Sequence, residues 1–241
     1  MIFRLGLLNP NTDVRHTESM SAVALAALPP GSDVVALTAA RGPNSIESDV
    51  DAVVAAAEVL EMIRSHPELD AYLVACFGDP GVDAARELTS APIVGVGEAA
   101  YSAATYVARR FAVLTTLARG VAELEDTLRA KGVAHRCVGV FPIDVPVAEQ
   151  GSDYPATTDA LAAAGARAVK ELGAEAVVLA CGGMADVARS LQERLTVPVC
   201  DGVAFGSLLA HGLWAAGLRT SKTGSYARPE PIPYEGMAGF A

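Results

Sequence analysis

Two apolar segments of this sequence end in the same way, in Ala-Cys followed by a turn that contains glycine. Residues 71–81 read AYLVACFGDPG and residues 176–184 read AVVLACGGM. An apolar run of this length that stops at glycine or proline is typical of a central strand in a parallel sheet. Ligands of such sheets bind at the carboxyl ends of the strands. The sequence therefore places Cys76 and Cys181 at the edge of the sheet where ligands bind.

The rest of the chain repeats around these two segments. Strand and helix patterns alternate eight times, which predicts parallel sheets with right-handed crossovers. SAPIVGVGEAAYSAAT at residues 90–105 matches TVPVCDGVAFGSLLA at residues 196–210, at an offset of 106. We therefore predict an α/β fold with two similar four-stranded parallel-sheet lobes, related by a pseudo-twofold axis, and an active site in the cleft between them.

The repeat also predicts the domain boundaries. Residues 1–97 form the first lobe, which the last predicted helix, within residues 203–218, completes. Residues 98–202 form the second lobe. Residues 219–241 are rich in proline and glycine, and we expect a tail that covers the surface or a neighbouring subunit.

The turn after the first cysteine predicts an effect on its thiol. Asp79 suits the N-cap of a helix over residues 79–89, and Pro80 suits its first turn. Cys76 would then lie just before a helix N-terminus, whose partial positive charge favours the thiolate. Asp201 is the corresponding predicted cap of the last helix.

Composition and charge exclude several classes of function. The net charge is −10, and Arg109-Arg110 is the densest basic cluster, so neither nucleic acid nor an anionic membrane is an expected partner. No apolar run reaches the ~18 residues of a membrane span, and the N-terminus does not resemble a signal peptide. Four cysteines form no disulfide framework, so we expect a cytoplasmic protein. The four histidines lack the spacing of metal ligands, so we expect no metal site.

Two cysteines that face one ligand from opposite sides suit the inversion of a carbon stereocentre. A thiolate removes the proton on one face, and the opposing thiol returns a proton on the other. A single buried cysteine is most often a packing residue, but two in matching contexts favour a functional pair. Cys137 and Cys200 lack this context, and we interpret both as packing residues.

The carbanion in such a reaction must be delocalised into a carbonyl whose oxygen meets fixed donors. The backbone N–H groups that follow each cysteine are the candidates, at Phe77, Gly78, Gly182 and Gly183. No lysine lies at a strand end, so a pyridoxal Schiff base is not expected and the reaction needs no cofactor.

Polar residues follow the first strand of each half. Asn9 and Asn11 follow a strand over residues 2–8, and Thr115 and Thr116 end or follow a strand over residues 111–115. Asn9 and Thr116 are predicted to occupy equivalent places. All four are candidates for holding the rest of the substrate, although Asn9 and Asn11 also suit a turn beside a proline.

Residues 95–100, GVGEAA, match the dinucleotide-binding fingerprint in form. That fingerprint follows the first strand of its unit and is completed by an acidic residue about 20 positions on, which this sequence lacks. Tight packing of a strand against a helix is the favoured interpretation.

Several motifs together resemble the hydantoin racemases, which belong with allantoin racemase to the aspartate/glutamate racemase superfamily. They span essentially the whole chain: NPNT at 9–12, RGPNSIE at 41–47, CFGDPG at 76–81, GVGEAA at 95–100 and CGGM at 181–184. The resemblance implies a cofactor-independent racemase of 5-substituted hydantoins that acts as a homo-oligomer. It also implies that Cys76 and Cys181 are the acid/base pair, and that the Asn9–Asn11 loop and Thr115-Thr116 contact the ring.

The resemblance has departures, and alternatives stay open. The second motif reads ACGGM where the family usually has GCAGM, and neither cysteine is followed by the Asn-Thr or Thr-His of amino-acid racemases. A maleate isomerase or arylmalonate decarboxylase-like enzyme is one alternative, and a non-catalytic small-molecule binding protein is another. Residues 39–48 and 141–153 are the loops expected to line the pocket for the ring substituent.

Overall fold

The computed structural model describes residues 2–145, 154–230 and 232. The first half contains four strands and four helices: β1 (Arg4–Asn9), α1 (Val14–Ala27), β2 (Asp33–Thr38), α2 (Asp49–Ser65), β3 (Ala71–Val74), α3 (Val82–Leu88), β4 (Ile93–Gly95) and α4 (Val96–Val107). The second half repeats this order: β5 (Phe111–Thr115), α5 (Val121–Ala130), β6 (Cys137–Pro142), α6 (Tyr154–Leu172), β7 (Ala176–Leu179), α7 (Ala188–Leu195), β8 (Val199–Cys200) and α8 (Gly202–Ala215).

Each half forms one four-stranded sheet whose paired strands are all parallel. The strand orders are β2-β1-β3-β4 and β6-β5-β7-β8, so each strand has the same neighbours in both sheets. The central strands β3 and β7 are buried along their whole length, because helices cover both faces of each sheet. The predicted α/β fold with two similar parallel-sheet lobes is confirmed.

Backbone hydrogen bonds place the two cysteine loops equivalently. The Ala75 N–H donates to the Leu8 carbonyl, and the Ala180 N–H donates to the Leu114 carbonyl, each at 2.8 Å. This register makes Asn9 equivalent to Thr115, so the predicted equivalence of Asn9 with Thr116 was wrong by one residue. The error arose because the sequence predicted that the first strand ends at residue 8, whereas β1 includes Asn9 as its last residue, as β5 includes Thr115.

The two halves exchange a helix across their boundary. Ala100 and Tyr101 of α4 pack with Phe111 of the second sheet. Val203 and Ala210 of α8 pack with the core of the first sheet. The last helix, α8, therefore packs against the first sheet although it follows the second sheet in sequence. Both this packing and the continuous chain connect the two lobes.

Two helices and one strand start differently from the sequence prediction, which placed helices over residues 79–89 and 184–195 and a strand over residues 134–140. α3 begins at Val82 rather than at residue 79, because Asp79 and Gly81 both adopt left-handed backbone conformations, with φ of 49° and 73°. Residues Gly182–Val187 form a 3-10 helix ahead of α7, where two glycines disfavour an α-helix. Ala134–Arg136 form a 3-10 turn, so β6 begins only at Cys137.

Segments outside the sheets hold the first lobe together. The Thr12 N–H donates to the Pro43 carbonyl at 3.0 Å, which ties the 39–48 loop to the end of β1. The Thr220 N–H donates to Ser90 O at 2.9 Å, so the described part of the tail packs on the first lobe. Residues 146–153 of the second predicted loop lie outside the described residues. Among the described helices none is long and apolar enough to cross a membrane.

Candidate active site

A cavity of about 930 Å³, its open mouth included, lies at the carboxyl ends of both sheets. Nine of the ten site residues predicted from the sequence line it: Asn11, Cys76, Phe77, Gly78, Thr115, Thr116, Cys181, Gly182 and Gly183. The structure therefore brings the two cysteines to one cavity, one from each lobe.

The loops that carry the two cysteines pack directly on each other. A Cβ added at Gly182 would lie 3.3 Å from the Ala75 carbonyl oxygen and 2.7 Å from Met20 Sδ. Glycine at this position therefore lets the loop after Cys181 approach the chain just before Cys76. The thiols are close enough for a negative charge on Cys181 to raise the pKa of Cys76.

The environment of Cys76 favours the thiol over the thiolate. Burial raises the pKa of Cys76 to about 12, and a backbone hydrogen bond from Gly78 opposes part of that shift. The prediction that a helix N-terminus favours the Cys76 thiolate was wrong. The helix begins only at Val82, while the loss of solvent acts on the sulfur itself.

Asn9 is the one predicted site residue that does not line the cavity. Its side chain is fully buried, and its Nδ2 donates to Asn11 Oδ1 at 2.8 Å, to the Asp13 carbonyl at 3.1 Å and to Thr17 Oγ1 at 2.9 Å. Asn11 Oδ1 also accepts from the Asp13 N–H at 2.9 Å. Because that N–H can only donate, the orientation of the Asn11 amide is determined. Its Nδ2, which makes no hydrogen bond within the described residues, is left to meet a ligand in the cavity.

Thr115 and Thr116 are buried and line the opposite side of the cavity. The Thr115 carbonyl accepts from the Ile143 N–H at 3.0 Å, as the Asn9 carbonyl accepts from the Ala39 N–H at 2.9 Å. The last residues of β1 and β5 are thus held by equivalent hydrogen bonds, each from the residue that follows the neighbouring strand.

The cavity has lining residues that the sequence did not single out. His16 and Met20 lie one helical turn apart on α1, and Glu123 of α5 lies four residues after Arg119, which belongs to the 3-10 turn that precedes α5. The helical spacing was the available signal, but only the tertiary fold shows which face meets the cavity. The 39–48 loop lines the cavity as predicted, through Ile46, Glu47 and Ser48.

The sequence predicted that Asp79 caps the helix that follows it. In the structure Asp79 instead caps α4. Its carboxylate accepts from the Gly97 N–H and the Glu98 N–H, each at 2.8 Å. Burial and the charge of Glu98 raise the pKa of Asp79 to about 7, and the two backbone bonds oppose that rise. A Cβ at Gly95 would overlap the Asp79 carboxylate, so the GVGEAA glycines serve tight packing, as favoured above.

The other two cysteines lie away from the cavity. Cys200 is buried in the core that α4 shares with the second sheet. Cys137 begins β6, and its Sγ donates to the Gly139 carbonyl at 3.4 Å. Within the part of the chain that the structure describes, no cluster of three histidine, cysteine, aspartate or glutamate side chains is placed to hold a metal ion.

Comparisons with known proteins agree with this geometry. A family model described as Asp/Glu/Hydantoin racemase matches residues 5–209. A hydantoin racemase from Pseudomonas sp. (strain NS671) is 37% identical over 235 residues, which is 97% of this chain and 94% of that protein. The solved allantoin racemase from Klebsiella pneumoniae is 39% identical, with a TM-score of 0.94 over 97% of this chain and 96% of that chain.

The fold is shared more widely. A glutamate racemase from Francisella tularensis subsp. tularensis is 17% identical, with a TM-score of 0.67 over 91% of this chain and 84% of that chain. That likeness concerns the two-lobed fold alone, whereas the relatives above match in sequence over nearly their whole length. This chain belongs to the Asp/Glu/hydantoin racemase family and is a racemase, an enzyme of the isomerase class.

Proposed function

We propose that this enzyme inverts the C5 stereocentre of 5-substituted hydantoins, with allantoin as one candidate substrate, and that Cys76 and Cys181 are its two bases. The observation that carries the proposal is the placement of both thiols on one cavity, each at the end of a central strand of a different lobe. The family's hydantoin and allantoin racemases support the choice of substrate.

In the proposed reaction one cysteine acts as a thiolate and the other as a thiol. The thiolate accepts the C5 proton, and the electron pair of the broken C–H bond is delocalised into the adjacent ring carbonyl. The opposing thiol then donates its proton to the other face of C5 and becomes the thiolate. Atoms and charge balance within the substrate and the two sulfurs, so the step needs no cofactor.

Fixed donors near the cavity suit the charge that develops on the ring carbonyl oxygen. The 3-10 helix after Cys181 begins with Gly182 and Gly183, whose N–H groups have no partner within that helix and which both line the cavity. Asn11 Nδ2 is a further donor. Such preorganised donors stabilise an oxyanion in a site that excludes water. The Gly78 N–H, which bonds Cys76, instead stabilises the thiolate.

The lining suits an uncharged ring with an apolar substituent. Apolar surface comes from Met20, Ile46, Leu117 and Leu124. The acidic residues Glu47 and Glu123 and the basic residues His16 and Arg119 lie among them.

The proposal also includes the domain boundaries predicted above, assembly as a homo-oligomer and a cytoplasmic location. Light scattering of the purified protein measures the assembly.

The first test is proton NMR in deuterated buffer with single enantiomers of benzylhydantoin, isopropylhydantoin and allantoin, with optical rotation followed in parallel. With the wild-type enzyme we expect each substrate that it accepts to lose both its C5 proton signal and its optical rotation. Cys76→Ala and Cys181→Ala should each abolish racemisation, whereas Cys137→Ala, a matched change outside the cavity, should retain it. If either single variant, Cys76→Ala or Cys181→Ala, still racemises the substrate, the two-base mechanism is refuted. Binding without exchange would favour a binding protein.

A further inference from the structure

The two halves of the chain cap equivalent helices by different means. At the start of α8, the Val203 and Ala204 N–H groups donate to the side chain of Asp201, at 3.0 Å and 2.8 Å. The equivalent N–H groups of α4, at Gly97 and Glu98, donate instead to Asp79, a residue of the Cys76 loop. One helix is therefore capped by its own N-cap residue, and the other by the loop that carries a cysteine.

The residue that corresponds to Asp201 in the first half is Gly95, which has no side chain to act as a cap. The two backbones have nearly the same conformation, with φ −90° and ψ 144° at Gly95 and φ −96° and ψ 129° at Asp201. The difference is thus one of side chain alone. At Gly95 the place of a Cβ is taken by the Asp79 carboxylate.

The residue that corresponds to Asp79 in the second half is Met184, at the cysteine offset of 105. Met184 is buried and packs in the apolar core of the second lobe with Leu179 and Leu191. The Cys181 loop therefore ends in an apolar anchor, whereas the Cys76 loop ends in a carboxylate bonded to a helix terminus.

The contacts of Asp79 reach the Cys76 thiol through three residues of chain. The Asp79 N–H donates to the Cys76 carbonyl at 2.9 Å. A Cβ at Gly97 would overlap the Phe77 carbonyl, so the middle of this loop also lies against the start of α4. The Gly78 N–H bonds the Cys76 sulfur. Movement of Asp79 would therefore move the donor that holds the thiol.

The helix to which Asp79 is bonded packs on the other lobe. α4 contributes Ala100, Tyr101 and Ala104 to the core that contains Val178 of β7, the strand that leads to Cys181. The Asp79 bonds thus fix the Cys76 loop relative to the element that supports Cys181. Glu98, which is adjacent, forms ion pairs with Arg86 and with Lys131, whose Nζ lies 3.1 Å from Glu98 Oε2.

We propose that Asp79 is a positioning residue that fastens Cys76 against α4 and sets its placement relative to Cys181. This inference rests on the proposed two-cysteine racemisation. It assigns Asp79 no contact with substrate. It also makes the two thiols unequal in their support, because the second half has no corresponding carboxylate.

The test separates positioning from simple helix capping. Asp79→Gly keeps the left-handed backbone without strain but removes the cap and the fastening. The double variant Asp79→Gly/Gly95→Asp returns a cap at the position that Asp201 occupies in the second half, without returning the fastening. Asp79→Asn is a milder third variant, because one amide oxygen can still accept from one of the two N–H groups.

We expect Asp79→Gly to lower Tm and the double variant to recover most of that loss. The kcat of both variants should fall by about 10-fold to 100-fold, because a small misplacement of a reacting group has effects of that order. The substrate KM should change little. Because the equilibrium constant of racemisation is one, kcat/KM must fall equally for the two enantiomers. Asp79→Asn should lie between the wild type and Asp79→Gly.

A second readout does not depend on turnover. Iodoacetamide labelling, located by peptide mass spectrometry, should become severalfold slower at Cys76 in the double variant, because the Gly78 N–H that stabilises its thiolate is displaced, and should stay unchanged at Cys181. If the double variant recovers both wild-type kcat and wild-type labelling of Cys76, Asp79 only caps the helix and the inference is overturned. If the wild type racemises no hydantoin, the proposed function fails, and the labelling result still decides whether Asp79 holds Cys76.

Discussion

The Tyr101 hydroxyl offers a sharp test of the packing between the lobes. Tyr101 is 2% exposed, and its hydroxyl has no hydrogen-bond partner within the described residues. Its ring packs edge-on against Phe77, with 5.2 Å between the ring centroids. Replacement of Tyr101 by Phe keeps the ring contacts and removes only the oxygen. We therefore expect Tyr101→Phe to stabilise the protein.

The magnitude follows from the cost of burying an unpaired polar group, which is about 1–3 kcal/mol. The loss of the contacts that the oxygen makes offsets part of this, so we expect the free energy of unfolding to rise by about 1 kcal/mol. For a chain of this size such a change raises Tm by about 2–4 °C.

Tyr72 provides a matched control, since it is also fully buried but its hydroxyl donates to the His66 carbonyl at 2.6 Å. Tyr72→Phe should lower the free energy of unfolding by about 0.5–1.5 kcal/mol, the net worth of one hydrogen bond. Urea unfolding followed by circular dichroism measures both variants, and equal m-values would show that the unfolding transition is comparable. If Tyr101→Phe is destabilised as much as Tyr72→Phe, its hydroxyl has a partner and the reasoning is refuted.

Two further predictions concern the cavity. Because the raised pKa of Cys76 leaves little thiolate near neutrality, the rate of iodoacetamide labelling at Cys76 should rise about tenfold per pH unit between pH 7 and pH 9; a plateau below pH 8 would contradict the raised pKa. Asn11→Asp keeps the oxygen that accepts from Asn9 but removes the amide donor, so kcat/KM should fall at least about tenfold with little change in Tm. Asn9→Ala removes a buried hydrogen-bond network and should instead lower the free energy of unfolding by about 2–4 kcal/mol, measured by urea unfolding. If the two variants lower Tm equally, the assignment of a structural role to Asn9 and a substrate-binding role to Asn11 is refuted.

The sequence predicted the fold well because its apolar runs are nearly uninterrupted and recur at a constant spacing. The strands β3 and β7 are buried on both faces, and the uninterrupted apolar runs AYLVAC and AVVLAC indicate this burial. Strand ends at one edge of a parallel sheet then bring polar residues together, which is why nine of the ten predicted site residues line the cavity.

What the sequence could not predict depends on contacts between distant parts of the chain. Asp79 reads as a cap of the helix that follows it, but the N–H groups that it accepts from lie 18 and 19 residues away. Likewise Cys76 precedes a turn that suggested a lowered pKa, whereas its desolvation comes from the packing of the whole cavity. Asn9 and Asn11 are alike in sequence, and only the hydrogen-bond network shows that one orients the other.

The coupling between the two thiols bears on how one site can act on both enantiomers. A charge on Cys181 raises the pKa of Cys76, and the same repulsion acts in reverse because the interaction between two titrating sites is mutual. When one thiol loses its proton, the other therefore holds its own proton more tightly. The pair with one thiolate and one thiol is the state that the proposed reaction needs, whichever enantiomer enters. In the proposed reaction the pair still holds one proton after turnover, now on the other sulfur, so the site would be set for the opposite enantiomer. The pseudo-symmetry of the fold supplies the two faces, and the repulsion between the sulfurs disfavours loss of the second proton of the pair.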